Sequence, residues 1–565
     1  MIESPTQFIL NRHSALNAER AIWDTFWQTL GNYFSPRKAD ITSIEFSPDS
    51  QRFDELYDIS GISACEVAGN GQMWGITQPN DKWFRLSPPV PLRHIPAVVA
   101  WHAECTEILL EEFLDPAAQF YNQMHEVYLD RSCFGTAVLY GEEGDENNLW
   151  FKAFNVGTWS IAENPRGVVD CLFRENPMTL RQMVARFGLD DVAKAHRENF
   201  IKGITGEDPK ALDRQVPIVH AVYPREDQAR KAGSADVLDM AYRDAYVDKK
   251  ESHMIRESGF PEFPYSVTRW AKWQGNKYGY SPAWKALPEI RQLSELQKNL
   301  DYLADLLVNP RILYPSNSAL DVDLAPGGGT AFDENNPNAV PREWATVGDY
   351  RLGMERAQYR KDNINQAFHV DLFQLFANLD QKNMTATEVI ERSAEKLNQF
   401  GPIFHRLTTE LLDPVITRSF ALLLRMGKMP PIPQEMIIVG PDGSPGIGSP
   451  RPVYMSKIAL ALDALESGGF MKLQELMLNF NEIRPEIWDN VDFDAVVRDS
   501  SYTFGLPNDW LVPVEVRDEG RRLRAEAQAR AEALQEAEMA ANAAGRVGRV
   551  PPENLDNLVN RLQSN

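Results

Sequence analysis

The sequence predicts a predominantly helical α+β protein, and three stretches carry that prediction. Residues 384–427 place apolar side chains at helical spacing, and residues 281–308 carry leucines at steps of three and four. Residues 150–275 instead alternate short β-prone runs with turns. Strands gathered in one part of the chain and helices in another are typical of the α+β class. With 565 residues, the chain has the length for a large core and more than one packing unit.

The chain is strongly acidic, with 80 Asp and Glu against 58 Lys and Arg and a net charge of −22. Such a surface repels phosphate backbones and disfavours a DNA-binding domain that reads sequence, but it does not exclude a wall past which DNA slides. Its four cysteines have neither metal-clip spacing nor the density of a disulfide framework, so we expect buried, reduced thiols. No run of about eighteen apolar residues occurs, so we expect no membrane span.

The longest predicted helix, over residues 384–427, opens with Thr385 and Glu388 at the spacing of a capping box. Pro402 and Pro414 each remove a backbone donor and are expected to kink this helix. Gly427 is expected to end it. On the pattern alone, a buried core helix of a large soluble domain is the simpler explanation of this stretch.

The first half of the chain is predicted to hold helices over residues 5–35, 61–76, 95–129 and 178–200, and a strand over 136–140. Thr179 is expected to cap the helix at 178–200. Three glycines in GNGQMWG, at positions 69, 71 and 75, resemble a phosphate loop only superficially, because no strand precedes them and no Lys-Ser/Thr follows. We expect them to serve close helix packing.

Two further motifs have a structural and a functional interpretation. His102 and Glu104 match half of a zinc deaminase signature, but no Pro-Cys-x-x-Cys follows, so a core histidine is the better account. Aromatic residues near Arg269 and Lys272 are compatible with a base-stacking platform, although aromatics in strands more often form core.

A helix, a non-helical excursion and a second helix follow one another in the middle of the chain. Ser281 and Pro282 open the first helix as N-cap and first helical residue. Residues 309–346 are rich in Pro, Gly, Asn and Asp, which predicts a compact excursion with short β-prone pieces such as RILY. Apolar spacing then predicts the second helix over residues 347–377.

Several stretches of the sequence resemble those of the portal, or head-to-tail connector, proteins of podophages. MTATEVIER and LTTELLDPVITRSFALLLRMGKMPPIP carry the resemblance, together with Asp58-Ile-Ser-Gly61 and the segment from Pro79 to Leu86. The resemblance implies a subunit with wing, stem, clip and crown regions that assembles into a ring with a central channel. The implied regions are a wing at 1–280, a first stem helix at 281–308, a clip at 309–346, a second stem helix at 347–377, a channel loop at 378–385, a long kinked wing helix at 386–435, a linker and crown helices at 436–513, and a charged helix and tail at 514–565.

The same resemblance assigns roles to three groups of residues. The implied channel loop, facing DNA, contains Asn378, Asp380, Gln381, Lys382 and Asn383. The implied subunit packing in the stem uses Leu293, Leu296, Leu300 and Leu303. The implied clip contacts are made by Arg311, Tyr314, Asp321 and Asp323.

The implied function is a ring of about twelve copies at one vertex of the virion capsid, through which double-stranded DNA passes without sequence preference. The implied partners are terminase, a tail adaptor, and the major capsid and scaffolding proteins, with synthesis in the host cytoplasm. A different virion structural protein, such as a tail component, and a DNA-packaging enzyme are the alternatives.

The sequence contains no pattern that predicts a catalytic, cofactor-binding or metal-binding site. Walker, His-Glu-x-x-His and Gly-x-Ser-x-Gly motifs are missing, and no Cys/His cluster occurs. Asp321, Asp323, Asp333 and Glu334 lie in a glycine-rich stretch without a regular ligand pattern, so an exposed polar tip is the simpler interpretation.

Overall fold

The computed structural model describes most of the chain in two units, Met1–Met471 and Lys472–Asn565. The described residues are 4–42, 56–93, 95–144, 147–225, 236–273, 275–308, 312–313, 342–343, 349–377, 386–439, 445–446, 448, 450–462, 494, 512 and 514–547. The prediction of a predominantly helical α+β protein is confirmed. Among the described helices, none combines the length and the apolar character that crossing a membrane requires.

The helices of the first unit fall at the beginning and the end of that unit, with the strands largely between them. In chain order they are α1 Pro5–Phe34, α2 Ser60–Ile76, α3 Pro96–Leu114, α4 Phe120–Phe134, α5 Leu180–Phe187, α6 Lys194–Thr205, α7 Pro282–Val308, α8 Tyr350–Ala367, α9 Val370–Ala377, α10 Ala386–Leu407 and α11 Asp413–Arg425. The second unit contains α12, Val514–Val547, in which the described side chains are mostly exposed.

Two antiparallel sheets make up most of the strand structure. The larger has the order β10-β9-β8-β5-β4, with strands β4 Trp159–Glu163, β5 Val169–Glu175, β8 Ile218–Pro224, β9 Tyr242–Asp248 and β10 His253–Phe260. The smaller has the order β11-β2-β3, with strands β2 Thr136–Glu143, β3 Leu149–Phe154 and β11 Tyr265–Arg269.

The remaining strands form short antiparallel pairs. They are β1 Phe84–Ser87 with β16 Arg451–Tyr454, β6 Met178–Thr179 with β7 Gln215–Val216, β12 Ile312–Leu313 with β13 Arg342–Glu343, and β14 Ile438–Val439 with β15 Pro445–Gly446. The pair of β12 and β13 brings the two ends of the predicted excursion together, and β12 falls within the β-prone piece RILY.

The helices predicted at 5–35 and 61–76 and the strand at 136–140 are confirmed, but three other predicted helices are each divided in two. The helix predicted at 95–129 breaks between α3 and α4, where Gln119 adopts the left-handed region with φ 57°. The helix at 178–200 breaks at Gly188, with φ 88°. The helix at 347–377 breaks at His369, with φ 55°. In each of these three stretches the apolar pattern therefore continues across a break in the helix that the pattern did not indicate.

Several predicted helix ends are confirmed by hydrogen bonds. Thr179 and Gln182 form a reciprocal capping box at the start of α5. Gly427, with φ 73°, follows the end of α11, as expected for a residue just past a helix. The predicted cap at Thr385 lies outside the described residues.

One large core joins the helices to the smaller sheet. Trp27, Trp83 and Trp159 are among its fully buried side chains. Trp270 and Arg269 are also buried, as the simpler interpretation held, whereas Trp273 is 60% exposed. His102 is buried as well, and its Nδ1 donates to the Val98 carbonyl oxygen at 2.8 Å.

The glycines of GNGQMWG lie where α2 is crowded by its neighbours, which confirms the packing prediction. A Cβ added at Gly69 would lie 2.5 Å from Leu129, and one at Gly75 would lie 2.6 Å from Ile458. At Gly71 the added Cβ would lie 2.3 Å from Phe373 on α9. Only a residue without a side chain lets these helices approach so closely.

Gly71→Ala should therefore destabilise the protein by about 1–3 kcal/mol, because the new methyl group overpacks the contact between α2 and α9. The midpoint of chemical unfolding measures the change. Gly401→Ala is the matched control, since its Cβ would meet only Leu462 at 3.8 Å inside α10. A Gly71→Ala protein as stable as the Gly401→Ala protein would contradict the packing account.

Candidate functional site: the helical hairpin and the anchored long helix

Helices α7 and α8 form an antiparallel hairpin, and both starts are capped. Ser281 Oγ accepts a hydrogen bond from the Trp284 backbone N–H at 3.1 Å, as the sequence predicted. Asp349 accepts from the backbone N–H groups of Arg351 and Leu352 at the start of α8. A serine and an aspartate satisfy donors that a helix start leaves without a partner.

Two contacts define how the helices of the hairpin are aligned. Leu300 packs so closely on Gly353 that a Cβ there would lie 2.4 Å from the leucine. Arg360 Nη1 donates to Glu289 Oε2 at 2.8 Å. From the first contact to the second, the residue number falls on α7 and rises on α8, so the helices are antiparallel. The two contacts also show which residues of α8 lie at the same height along the hairpin as a given residue of α7.

The hairpin is fastened to the body of the protein along one side. Lys361 Nζ lies 2.9 Å from Asp58 Oδ2, and the Ser294 hydroxyl accepts from the Tyr57 backbone N–H at 3.3 Å. The guanidinium of Arg291 lies 5.7 Å from the ring centre of Tyr33. These contacts hold both helices of the hairpin to Tyr33, Tyr57 and Asp58.

The four leucines predicted to pack between subunits lie at different depths in the hairpin. Leu293 and Leu300 are buried within this one chain, at 0% and 4% exposure. Leu296 and Leu303 are half-buried. The first two therefore hold the hairpin to its own chain, and a role between subunits stays a prediction for the set.

The hairpin also exposes large apolar side chains to solvent, on α7 and on α8. Tyr302 is 55% exposed, Val308 78% and Tyr359 66%. The full set is Trp284, Tyr302, Leu307, Val308, Tyr350, Leu352, Met354 and Tyr359, named below the outer apolar face. A monomer seldom keeps so many large apolar side chains in water, so the outer apolar face is a candidate contact surface. Leu307 belongs to the predicted leucine pattern itself, so the pattern marked apolar positions without separating the exposed from the buried ones.

The second feature is the long helix, which contains a π-helical segment between its prolines. Pro402 lies inside α10, Thr408–Leu412 form the π-helical segment, and Pro414 follows at the start of α11. A π-helical turn leaves carbonyl groups without their usual helical donors. Thr408 and Thr409 hydroxyls both donate to the His405 carbonyl oxygen, at 2.7 and 3.0 Å.

Arg131 of α4 supports the same region from inside the core. Its Nη2 donates to the Ile403 carbonyl oxygen at 2.9 Å, its Nη1 donates to Gln72, and its guanidinium lies 4.9 Å from the ring centre of Trp270. Arg131 is fully buried, and this burial lowers the pKa of its guanidinium to about 9. One arginine therefore joins α2, α4 and α10.

Glu410, in the middle of the π-helical segment, is held by Arg269 of β11. The carboxylate accepts from the Arg269 backbone N–H at 2.8 Å, from Nε at 3.2 Å and from Nη2 at 2.7 Å. Arg269 also pairs with Glu163, which Lys272 contacts at 2.6 Å. Burial lowers the pKa of the Arg269 guanidinium, but hydrogen bonds and charge from Glu410 and Glu163 outweigh it and raise that pKa.

The predicted channel and clip residues lie outside the described part of the chain. For the channel loop these are Asn378, Asp380, Gln381, Lys382 and Asn383, which fall between α9 and α10. For the clip they are Arg311, Tyr314, Asp321 and Asp323, which fall between α7 and α8. In the part of the chain that the structure describes, no group of three or more His, Cys, Asp or Glu side chains is arranged to hold a metal ion.

Glu410→Gln should destabilise the protein by about 2–4 kcal/mol, because it leaves the buried Arg269 with one carboxylate instead of two. Thermal or chemical unfolding measures the loss. Glu111→Gln, at an exposed position of α3, removes the same charge and should change stability by less than about 0.5 kcal/mol. Equal effects of the two substitutions would show that the ion pair does not anchor the long helix.

Comparison with known proteins agrees with the resemblance drawn from the sequence. The model of the bacteriophage head to tail connecting protein family matches residues 6–512. The probable portal protein of Bordetella phage BPP-1 is 29% identical over 556 residues, which cover 97% of this chain and 96% of that protein. The portal protein of Salmonella phage epsilon15 is 28% identical over 542 residues, which cover 94% of each.

A solved structure, a chain of the virion of the native gene transfer agent particle, superposes with a TM-score of 0.30 and 11% identity, over 68% of this chain and 80% of that chain. A score of this size supports no argument about function. The family match over most of the chain does, and it confirms the resemblance that the sequence motifs indicated. The chain belongs to the family of bacteriophage head to tail connecting proteins.

Proposed function

We propose that this chain is the subunit of a portal ring at one vertex of a phage capsid, through which the genome is packaged and ejected and to which the tail attaches. Family membership and the similarity to two portal proteins over nearly the whole chain support this function. A ring of about twelve copies is the assembly we expect, closed by a repeated head-to-tail contact.

The outer apolar face of the hairpin is the observation that supports a ring most directly. Its large side chains lie on both helices, so one hairpin offers a surface on α7 and another on α8. A heterologous contact needs two different surfaces of the same subunit, one for each neighbour. Packing α7 of one copy against α8 of the next would remove these side chains from water, which is favourable.

Charged residues on the hairpin fit the same arrangement. By the alignment from the two contacts within the hairpin, Glu295 lies near the level of Arg356, and Asp301 near that of Arg351. None of these four exposed side chains forms an ion pair with another described residue of the chain. Rotation about an axis along the hairpin keeps every residue at its level. An acid of one copy would then meet an arginine of the next.

Passage of DNA would depend on charge rather than on catalysis. The net charge of −22 in each copy makes a ring strongly acidic, so DNA adheres weakly and can move in either direction. In this proposal the segment between α9 and α10, with Asp380 and Lys382, faces the channel. Arg269 and Arg131 would hold the helix that follows this segment, so that the channel wall resists the moving DNA.

The excursion between α7 and α8 would supply the contacts with other components. Residues Arg311, Tyr314, Asp321 and Asp323 are the proposed contacts for terminase during packaging and for a tail adaptor afterwards. Major capsid and scaffolding proteins would contact the subunit during assembly of the head. The subunit is made in the host cytoplasm in this proposal, and the energy for packaging comes from the partner ATPase.

Native mass spectrometry and negative-stain images of the purified protein test the ring. The expected result is a closed ring of about twelve subunits with an open channel, because the outer apolar face needs a partner. A monomer or dimer at every protein and salt concentration would contradict the proposed function.

Charge reversal tests which surfaces meet in that ring. Glu295→Arg should reduce ring formation at least about tenfold, because it would place two positive charges together. Adding Arg356→Glu in the same chain should restore rings, since the pair is then reversed. Glu207→Arg, at an exposed position after α6, is the control for added positive charge. Rings that form equally in all three variants would contradict this pairing but not the ring.

A further inference from the structure

Three basic side chains lie together on the part of the molecule where the two larger sheets meet. They are Lys152 on β3, Arg174 on β5 and Arg186 on α5, named below the basic cluster. The guanidinium carbon of Arg174 lies 3.8 Å from the ring centre of Phe154, and Lys152 Nζ lies 5.7 Å from the same centre. Two of the three cations therefore lie near the same phenyl ring.

The third cation is connected to Arg174 through a row of cross-strand neighbours. Arg174, His220 and Tyr246 are register partners across β5, β8 and β9, so their side chains share one face of the sheet. His220 and Tyr246 stack with ring centres 4.2 Å apart. Arg186 lies over the Tyr246 ring at 5.2 Å and donates from Nη2 to its hydroxyl at 3.1 Å. The three basic side chains thus lie next to the rings of Phe154, His220 and Tyr246.

No carboxylate of the described residues forms an ion pair with the basic cluster, although the chain has an excess of acidic residues. Glu142 and Asp244 lie within electrostatic reach of Arg186, but each is engaged by another group. Glu142 accepts from the Tyr140 hydroxyl at 2.5 Å, and Asp244 contacts His220 Nε2 at 2.7 Å. Burial lowers the pKa of the Arg186 guanidinium, but the charges of Tyr246, Glu142, Tyr140 and Asp244 outweigh it and raise that pKa. Burial, and then the charges of Arg174 and Arg186, lower the pKa of the Lys152 ammonium group.

The basic cluster is open to solvent on one side and closed on the other. Lys152 and Arg186 are exposed, whereas Arg174 is only 8% exposed. Arg174 Nε is buried and has no hydrogen-bond partner among the described residues. A buried guanidinium N–H without a partner is costly, and an anion entering from solvent between the two exposed cations would relieve that cost.

We propose that Lys152, Arg174 and Arg186 form a binding site for a phosphate group. Two guanidinium groups supply planar, directed donors and the ammonium group supplies a compact charge, a combination suited to the several oxygens of a tetrahedral anion. The phosphate is either free orthophosphate or a phosphodiester of a nucleic acid backbone. The site does not depend on the proposed ring, since all three residues belong to one chain.

The site is tested by measuring how inorganic phosphate binds to the full-length protein. Line broadening of the phosphorus NMR signal, at constant ionic strength, reports the binding. Lys152→Gln and Arg186→Gln are the variants of choice, because both positions are exposed and the fold should survive. Each should weaken phosphate binding by about tenfold, the loss of one charged hydrogen bond. Lys202→Gln, exposed on α6, removes the same charge elsewhere and should leave binding unchanged.

A short DNA duplex with a fluorescent label distinguishes the two sources of phosphate. If both variants bind the duplex more weakly and phosphate competes with it, the site takes a phosphodiester. If phosphate binding is weakened and duplex binding is not, the site takes free phosphate. Wild-type protein that broadens the phosphate signal no more than Lys152→Gln does would overturn the proposal.

Discussion

The ion pair between the buried Arg269 and the partly buried Glu410 is the constraint on which the arrangement of the first unit depends. Arg269 ends β11 of the smaller sheet, and Glu410 lies in the π-helical segment of the long helix. A π-helical turn is intrinsically strained, and it persists only where other groups satisfy its backbone and hold its side chains. The pair supplies that support with three hydrogen bonds, so sheet and long helix have one relative position.

Arg131 provides a second support from the opposite direction, and the two arginines together make the long helix part of the core. Arg131 reaches Ile403, one turn before the π-helical segment. Both side chains are buried and both find acceptors, which is what makes buried charge tolerable. A helix held in this way has a fixed position against the rest of the first unit.

The hairpin carries both buried and exposed apolar side chains. Leu293 and Leu300 are buried and hold α7 to α8 and to the body, while Tyr302, Val308 and Tyr359 are more than half exposed. The buried set stabilises the single chain, and in the proposed ring the exposed set would pack against neighbouring copies. Periodicity detects only that a helix is apolar. It cannot distinguish apolar positions that are buried within the chain from apolar positions that stay exposed.

The amino-acid sequence by itself determined the class of the fold, most helix positions and the family. These properties are local: apolar spacing, capping residues such as Thr179 and Ser281, and motifs read along the chain need no distant partner. The motif resemblance was confirmed by the match to the family over residues 6–512. The crowding around Gly69, Gly71 and Gly75 was predicted too, because glycines inside a helical pattern usually mark a close approach.

Only the tertiary structure decided where long helices break and which charges meet. Gln119 and His369 adopt left-handed backbone conformations that their residue types do not predict. Neighbouring elements impose these conformations. Arg269 and Glu410 are 141 residues apart, and Arg131 and Ile403 are 272 apart, so no spacing rule could join them. Burial of Leu293 and Leu300, and exposure of Tyr302 and Tyr359, follow from the packing of α7 against α8 and the body. Contacts between residues distant in sequence are a property of the folded chain as a whole.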